Sequence, residues 1–210
     1  MIDYSLYLVT DRGLSRGRRT VEVVQQAVLG GVTCVQLREK NCSTREFLTE
    51  ARALQTLLKP LAVPLIVNDR LDIALAVDAA GVHLGQSDMP LAEARRLLGS
   101  ARIIGISAES LEDALEAEEQ GADYIGISPV FATPTKTDAA SPHGLAGVRA
   151  IRRRVQLPLV GIGGIGVENA AEVIAAGADG LAVVSAIMSA DCPETAARAL
   201  RQAAFASSLP

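Results

Sequence analysis

The feature that most constrains the fold is a regular alternation of short aliphatic runs with longer helical segments. Eight runs rich in Val, Ile and Leu are predicted to be strands, and a segment with helical spacing follows each of them. The predicted strands occupy residues 4–9, 32–37, 63–67, 81–84, 102–106, 124–127, 159–162 and 180–184. Strands that alternate with helices pair in parallel, and eight such units predict a closed (β/α)8 barrel.

The helical segments and their connections favour one domain over residues 1–210. The predicted helices occupy residues 20–30, 44–59, 71–79, 90–98, 111–120, 145–155, 168–176 and 193–206, and Ser43 with Glu46 has the spacing of a capping box. No linker, charge block or low-complexity stretch divides the chain. An open, doubly wound sheet is the alternative. The barrel is favoured because the Gly-rich turn follows strand seven rather than strand one.

The composition excludes several classes of function. Aromatic residues are only 3% of the chain, which suits aliphatic parallel strands covered by helices. The net charge of -4 argues against a nucleic-acid binder. The apolar runs are too short to cross a membrane, and no charged leader is visible. Three cysteines indicate no disulfide framework, so we expect a cytoplasmic protein. From the net charge and the short apolar runs, we expect it to bind neither nucleic acid nor membrane.

Two cations and an amide occupy the end of the second predicted strand. Because side chains alternate faces along a strand, Gln36, Arg38 and Lys40 are expected to project together. Two positive charges beside a core are costly unless an anion neutralises them. The anion can be an internal carboxylate, which makes a salt bridge, or a bound polyanion such as a diphosphate. The stretch by itself leaves both interpretations open.

Carboxylates follow the next two strands. The active site of such a barrel lies at the C-terminal ends of its strands, so Asn68, Asp69, Asp88 and Ser107 should face the same mouth. Paired carboxylates with no soft ligand nearby suit a hard cation such as Mg²⁺. Asp69 and Asp88 also precede predicted helices, so either could be a helix cap. Their position beside the basic cluster favours the metal.

Two further segments are candidates for binding phosphate. The pair Gly163-Gly164 precedes a predicted helix, and Ser185 follows strand eight, where barrels often bind phosphate. The longest irregular segment, residues 128–144, contains hydroxyls and a cation; its length favours a functional lid over a solvated surface loop. His83 lies inside the fourth strand and is expected to be structural.

Eight short motifs spread along the chain resemble those of the thiamine-phosphate synthase family. They are YLVTD at 7–11, QLREK at 36–40, NDR at 68–70, HLGQSD at 83–88, GIS at 105–107, PVFATPTK at 129–136, GIGGI at 161–165 and VSAI at 184–187. The resemblance implies a barrel enzyme that joins a hydroxymethylpyrimidine diphosphate to a thiazole phosphate, with Mg²⁺. The products would be thiamine phosphate and diphosphate.

The resemblance also implies roles for individual residues. The implied contacts of the pyrimidine diphosphate are Gln36, Arg38, Lys40, Asn68, Ser107 and Lys136, of which Arg38, Lys40, Ser107 and Lys136 look catalytic. The implied contacts of the thiazole phosphate are Thr133, Thr135, Gly164, Val184 and Ser185. The implied Mg²⁺ ligands are Asp69 and Asp88.

Two departures from the family pattern bear on the alternatives. Ser128 stands where the family often has Gly before the proline of the lid, which removes no proposed contact. The related thiazole tautomerases carry His where this chain has Glu109, which favours the synthase. A tautomerase and a non-catalytic, phosphate-binding regulatory barrel remain the rival functions. The sequence specifies no oligomeric state.

Overall fold

Eight short parallel strands form a closed barrel in the computed structural model, which describes residues 2–133 and 141–205. The strands are β1 (Leu6–Val9), β2 (Cys34–Leu37), β3 (Leu65–Asn68), β4 (Gly81–Leu84), β5 (Ile103–Ala108), β6 (Tyr124–Ile127), β7 (Leu159–Ile162) and β8 (Gly180–Val183). They pair in sequence order, and β1 also pairs with β8, where Tyr7 lies opposite Ala182. The predicted (β/α)8 barrel is therefore confirmed, and the open sheet is excluded.

Helices surround the barrel. They are α1 (Thr20–Leu29), α2 (Thr44–Leu58), α3 (Leu71–Ala76), α4 (Leu91–Leu98), α5 (Leu111–Glu119), α6 (Gly144–Arg152), α7 (Ala170–Ala175), α8 (Ser185–Met188) and α9 (Pro193–Phe205). The capping box predicted for α2 is present: Ser43 Oγ accepts from the Glu46 N–H, and the Glu46 carboxylate accepts from the Ser43 N–H. Among the helices of the described ranges, none is long and apolar enough to cross a membrane.

The strands alternate between two buried layers. Side chains such as Leu8, Val35 and Val67 point outward and form the main core with the helices. The opposite face lines the barrel interior, where the buried layer contains Tyr4, Tyr7, Val9, Cys34, Ile66, Tyr124, Val160 and Ala182. Cys34 is therefore a small interior residue. The tyrosines make the interior more polar than the aliphatic runs suggest.

Several predicted boundaries differ from the observed ones, and for two of them the structure shows a local reason. β5 continues to Ala108 instead of ending at residue 106, because Ser107 pairs with Gly126 of β6. α7 begins at Ala170 instead of residue 168. The Asn169 side chain accepts from the Gly166 N–H and donates to the Gly164 carbonyl, both at 2.9 Å, and this holds residues 164–169 in a turn. The short helix α8 after β8 was not predicted at all.

Candidate active site

A cavity of about 380 Å³ opens at the C-terminal ends of the strands. Eleven of the predicted site residues line it: Gln36, Arg38, Lys40, Asn68, Asp69, Asp88, Ser107, Thr133, Gly164, Val184 and Ser185. The remaining two, Thr135 and Lys136, lie outside the described residues, as does the central part of the predicted lid, residues 134–140. The barrel therefore brings together every predicted site residue that the structure describes.

The end of β2 points its polar side chains into this cavity. Gln36, Arg38 and Lys40 line it, whereas the intervening Glu39 turns away and has only 7% of its side chain exposed. The backbone N–H of Arg38 donates to Thr10 Oγ1 at 3.1 Å, and the Thr10 N–H donates to the Gln36 carbonyl at 2.9 Å. β1 thus fixes the direction in which β2 leaves the barrel.

The two cations differ in their internal partners. Lys40 Nζ lies 2.6 Å from Asp69 Oδ2 and forms an ion pair. Arg38 Nη1 lies 3.9 Å from Asp11 Oδ2, which is too far for a hydrogen bond. Within residues 2–133 and 141–205, no hydrogen bond from the Arg38 guanidinium is found. Both cations thus have an internal carboxylate partner, but the Arg38–Asp11 pair is long, and the guanidinium keeps its hydrogen-bond donors for another anion.

Asp69 and Asp88 are not helix caps. α3 starts after Arg70 and α4 after Pro90, and neither helix has a side-chain cap. Asp69 adopts a left-handed conformation with φ of 60°, and Asp88 Oδ2 accepts from the Gly85 N–H at 2.7 Å. Burial raises the pKa of the Asp88 carboxyl, and a hydrogen bond and repulsion from Asp69 raise it further. Two carboxylates thus meet at the rim.

This acid pair fits a divalent cation that is shared with a ligand. No group of three or more His, Cys, Asp or Glu side chains that could hold a metal occurs in the described part of the chain. A cage made only of protein ligands is therefore not what these residues form. Mg²⁺ commonly binds through one or two carboxylates and completes its shell with water and substrate phosphates. Asp69 and Asp88 are the residues that could hold it in this way.

The floor of the cavity contains residues that the sequence argument missed. Tyr7, His83 and Tyr124 line the cavity together with Gln36 and Ser107. His83 was expected to be structural, and its Nε2 lies 2.8 Å from Ser107 Oγ while its Nδ1 lies 2.8 Å from the Tyr124 hydroxyl. Their positions in the strands could have indicated them, because these side chains share the inward face of the barrel with Gln36 and Ser107.

The glycines after β7 have a packing role of their own. Gly163 and Gly164 have φ values of 102° and 63°, which side chains rarely adopt. A Cβ on Gly164 would lie 2.7 Å from the Ala132 carbonyl oxygen, and the Phe131 N–H donates to the Gly163 carbonyl at 3.0 Å. These glycines therefore let the segment after β6 lie close to β7. The predicted helix start directly behind them is absent.

Together these features define a (β/α)8-barrel enzyme site at the strand ends, with cations, a carboxylate pair and a polar floor. A family model described as thiamine monophosphate synthase matches residues 6–187. The chain therefore belongs to the thiamine monophosphate synthase family, as the motifs predict, and it is a transferase of the thiamine-phosphate synthase type.

Individual relatives support this assignment. The thiamine-phosphate synthase of Chloroflexus aurantiacus is 57% identical over 96% of this chain and 93% of its own length. That of Albidiferax ferrireducens is 59% identical over 94% of this chain and 90% of its own length. A solved thiamine phosphate pyrophosphorylase from Pyrococcus furiosus superposes with a TM-score of 0.91 at 43% identity and covers 99% of this chain and 98% of that one.

Proposed function

We propose that the protein condenses hydroxymethylpyrimidine diphosphate with a thiazole phosphate in a Mg²⁺-dependent reaction, which releases thiamine phosphate and diphosphate. One observation carries the proposal: Arg38, Lys40, Asp69 and Asp88 line the same cavity. A diphosphate needs both cationic donors and a divalent cation close together. The family membership supplies the class of reaction, and the cavity supplies the groups that it requires.

The diphosphate would lie against the end of β2. The Arg38 fork can donate two parallel hydrogen bonds to phosphate oxygens, and Asn68 lies in the same cavity. Lys40 has 49% of its side chain exposed, so it can turn from Asp69 to a phosphate oxygen. Lys136, on the segment that follows β6, is a further candidate cation for the leaving group.

Asp69 and Asp88 would hold the Mg²⁺. When bound, this ion supplies charge neutralisation for the diphosphate as it leaves. Asp88 Oδ2 accepts from the Gly85 N–H, and the ion would replace the hydrogen bond that Asp88 shares with Asp69. Lys40 would act in the absence of ligand as the counter-charge for Asp69.

The reaction needs no enzyme nucleophile. In the proposed dissociative route, the bond between the exocyclic carbon and the diphosphate oxygen breaks first, and the aminopyrimidine stabilises the resulting cation. The thiazole nitrogen then forms the new carbon–nitrogen bond. Arg38 and Lys40 stabilise the charge on the leaving group, and the cavity walls position the two rings and exclude water from the cation.

The thiazole phosphate would bind on the opposite side of the mouth. Gly164, Val184 and Ser185 line the cavity after β7 and β8. This is where barrels of this kind often bind phosphate through backbone N–H groups. Thr133, which also lines the cavity, and Thr135 are the proposed contacts from the segment after β6.

An omission assay tests the proposed function. Thiamine phosphate and diphosphate should appear in equal amounts only when both substrates and Mg²⁺ are present, and a chelator should abolish both. Isomerisation of a thiazole alone would identify a tautomerase instead. Binding of both substrates without turnover would identify a regulatory barrel. Either of the last two results would overturn the proposal.

A further inference from the structure

A chain of hydrogen bonds crosses the barrel floor from β2 to β5. Gln36 Nε2 donates to the Tyr7 hydroxyl at 3.1 Å, and the hydroxyls of Tyr7 and Tyr124 are 2.9 Å apart. The Tyr124 hydroxyl lies 2.8 Å from His83 Nδ1, and His83 Nε2 lies 2.8 Å from Ser107 Oγ. These hydrogen bonds therefore link Gln36 and Ser107, two residues for which the family resemblance implies contacts with the pyrimidine diphosphate.

The amide of Gln36 sets the direction of this chain. Because Tyr7 accepts from Gln36, its own proton is available to Tyr124, and the proton of Tyr124 is then available to His83 Nδ1. A neutral imidazole that accepts at Nδ1 carries its proton on Nε2, so it donates to Ser107 Oγ. With the opposite direction, His83 would carry its proton on Nδ1. The tautomer of His83 therefore reports the direction of the whole chain.

The hydrogen-bond chain ends in an available acceptor on one side and an available donor on the other. Gln36 is held through its nitrogen, so its Oε1 acceptor is available to the cavity. Ser107 Oγ accepts from His83, so its own hydroxyl proton is available to the cavity. An aminopyrimidine presents the matching set, an amino donor and ring-nitrogen acceptors. Building on the proposed function, we propose that Tyr7, Tyr124 and His83 are positioning residues that orient Gln36 as an acceptor and Ser107 as a donor toward the pyrimidine.

Packing fixes the positions of the rings in the hydrogen-bond chain. A Cβ on Gly105 would overlap the Tyr124 ring, so this glycine makes the space that the ring occupies. A Cβ on Gly126 would lie 3.1 Å from the His83 ring. Burial raises the pKa of both Tyr7 and Tyr124 well above the usual value, so both hydroxyls stay protonated and able to donate. A fully connected network of this kind favours one polarity over mixed orientations.

The direction of the chain can be measured without substrate. The protein has only two histidines, so ¹⁵N NMR of the imidazoles gives two spin systems, and the His143→Gln variant identifies that of His83. We expect a neutral His83 ring with the proton on Nε2. In the Tyr124→Phe variant, which lacks the donor to Nδ1, we expect a mixture of tautomers. A wild-type ring with its proton on Nδ1 would overturn the proposed orientation.

Kinetics of two variants and a matched control test the positioning role. Tyr7→Phe and Tyr124→Phe each remove one hydroxyl from the chain and should raise the KM for the pyrimidine diphosphate about tenfold, the scale of one hydrogen bond. The KM for the thiazole phosphate should stay unchanged. Tyr4→Phe is the control: its ring packs against Tyr124 with centroids 4.7 Å apart, but within the described residues its hydroxyl forms no hydrogen bond. We expect wild-type kinetics from it.

The outcomes separate this inference from the proposed function. No product from the wild type would refute the proposed function. Product from the wild type, with all three Tyr→Phe variants behaving alike, would refute the positioning role. An equal rise in both KM values would also refute it, because it would show a general loss of structure. If Tyr124→Phe melts at a much lower temperature, Tyr7→Phe and the wild-type NMR spectrum still decide the question.

Discussion

Neighbouring side chains at the end of β2 point in opposite directions, because side chains alternate faces along a strand. Arg38 and Lys40 face the cavity, while Glu39 between them is buried beside Arg12, with 3.7 Å between Arg12 Nε and its carboxylate. Burial raises the pKa of the Glu39 carboxyl, and Arg12 partly offsets the rise. The chain thus separates a buried carboxylate from two cavity-lining cations within three residues.

The carboxylate pair gives a prediction at the residue scale. Asp69→Asn and Asp88→Asn should each lower turnover by about 10²-fold, the scale of losing a few kcal/mol of charge stabilisation. The melting temperature without ligands should change little, because each change relieves repulsion between two carboxylates and the ion pair that Asp69→Asn loses is with the half-exposed Lys40. Turnover at limiting Mg²⁺ and a melting curve are the two measurements.

Asp72→Asn is the matched control for this pair. Asp72 lies on α3 close in sequence to Asp69, but it pairs with Arg70 and does not line the cavity. Its variant should keep wild-type turnover. If Asp69→Asn or Asp88→Asn behaved like Asp72→Asn at limiting Mg²⁺, that carboxylate would not be a metal ligand.

At this scale, the sequence predicts the polar residues at the strand ends but not the floor beneath them. Gln36, Asn68 and Ser107 stand out because polar residues interrupt or end aliphatic runs. Tyr7 and Tyr124 do not, because a tyrosine within an aliphatic strand is equally typical of ordinary core packing. Only the register across the barrel, which no local pattern encodes, brings their hydroxyls within 2.9 Å.

At the scale of elements, small residues on β5 and β6 decide what the barrel interior can hold. Gly105 lies opposite Tyr124 in the register, and Ser107 lies opposite Gly126. Glycine in a strand usually weakens it and often marks a close approach of other atoms. Here the missing side chains leave space for the Tyr124 and His83 rings, which form the floor of the site.

Gly105→Ala tests this packing. The new Cβ would overlap the Tyr124 ring, and β5 is paired on both sides, so the ring must move. We expect the free energy of unfolding to fall by about 1–3 kcal/mol, the usual cost of overpacking. Gly126→Ala is the comparison, since its Cβ would meet His83 at 3.1 Å and should cost less. Equal denaturant midpoints for wild type and Gly105→Ala would contradict the account.

The predicted boundaries agree with the structure where the sequence marks the ends of an element. They differ where a side-chain hydrogen bond or backbone pairing overrides the sequence pattern. β4, β6 and β7 have the predicted limits, because glycine, proline or polar residues flank their aliphatic runs. α7 starts late because Asn169 bonds to the preceding turn. β5 runs past its aliphatic part because backbone pairing with β6 does not depend on the polarity of Ser107.

At the scale of the whole molecule, the architecture follows from the alternation together with the number of units and the position of the Gly-rich turn. Eight parallel strands that lie side by side in sequence order bring β8 back to β1. That closure places residues from all eight strands and the loops that follow them around one mouth. What each group binds does not follow from closure, because cations at a barrel mouth can be neutralised by the protein itself or by a ligand.

The melting temperature with and without Mg²⁺ and diphosphate tests the central claim, that the charged mouth is an anion pocket. The ligands should raise the melting temperature of the wild type, because they bind only the folded state. Arg38→Gln should leave the unliganded protein as stable as the wild type, because the guanidinium is 3.9 Å from Asp11 and forms no hydrogen bond with it. The same variant should lose most of the rise in melting temperature that the ligands cause. Arg19→Gln, an exposed arginine outside the cavity, should keep the full shift. An Arg38→Gln variant that is strongly destabilised and still shows the full shift would contradict the claim.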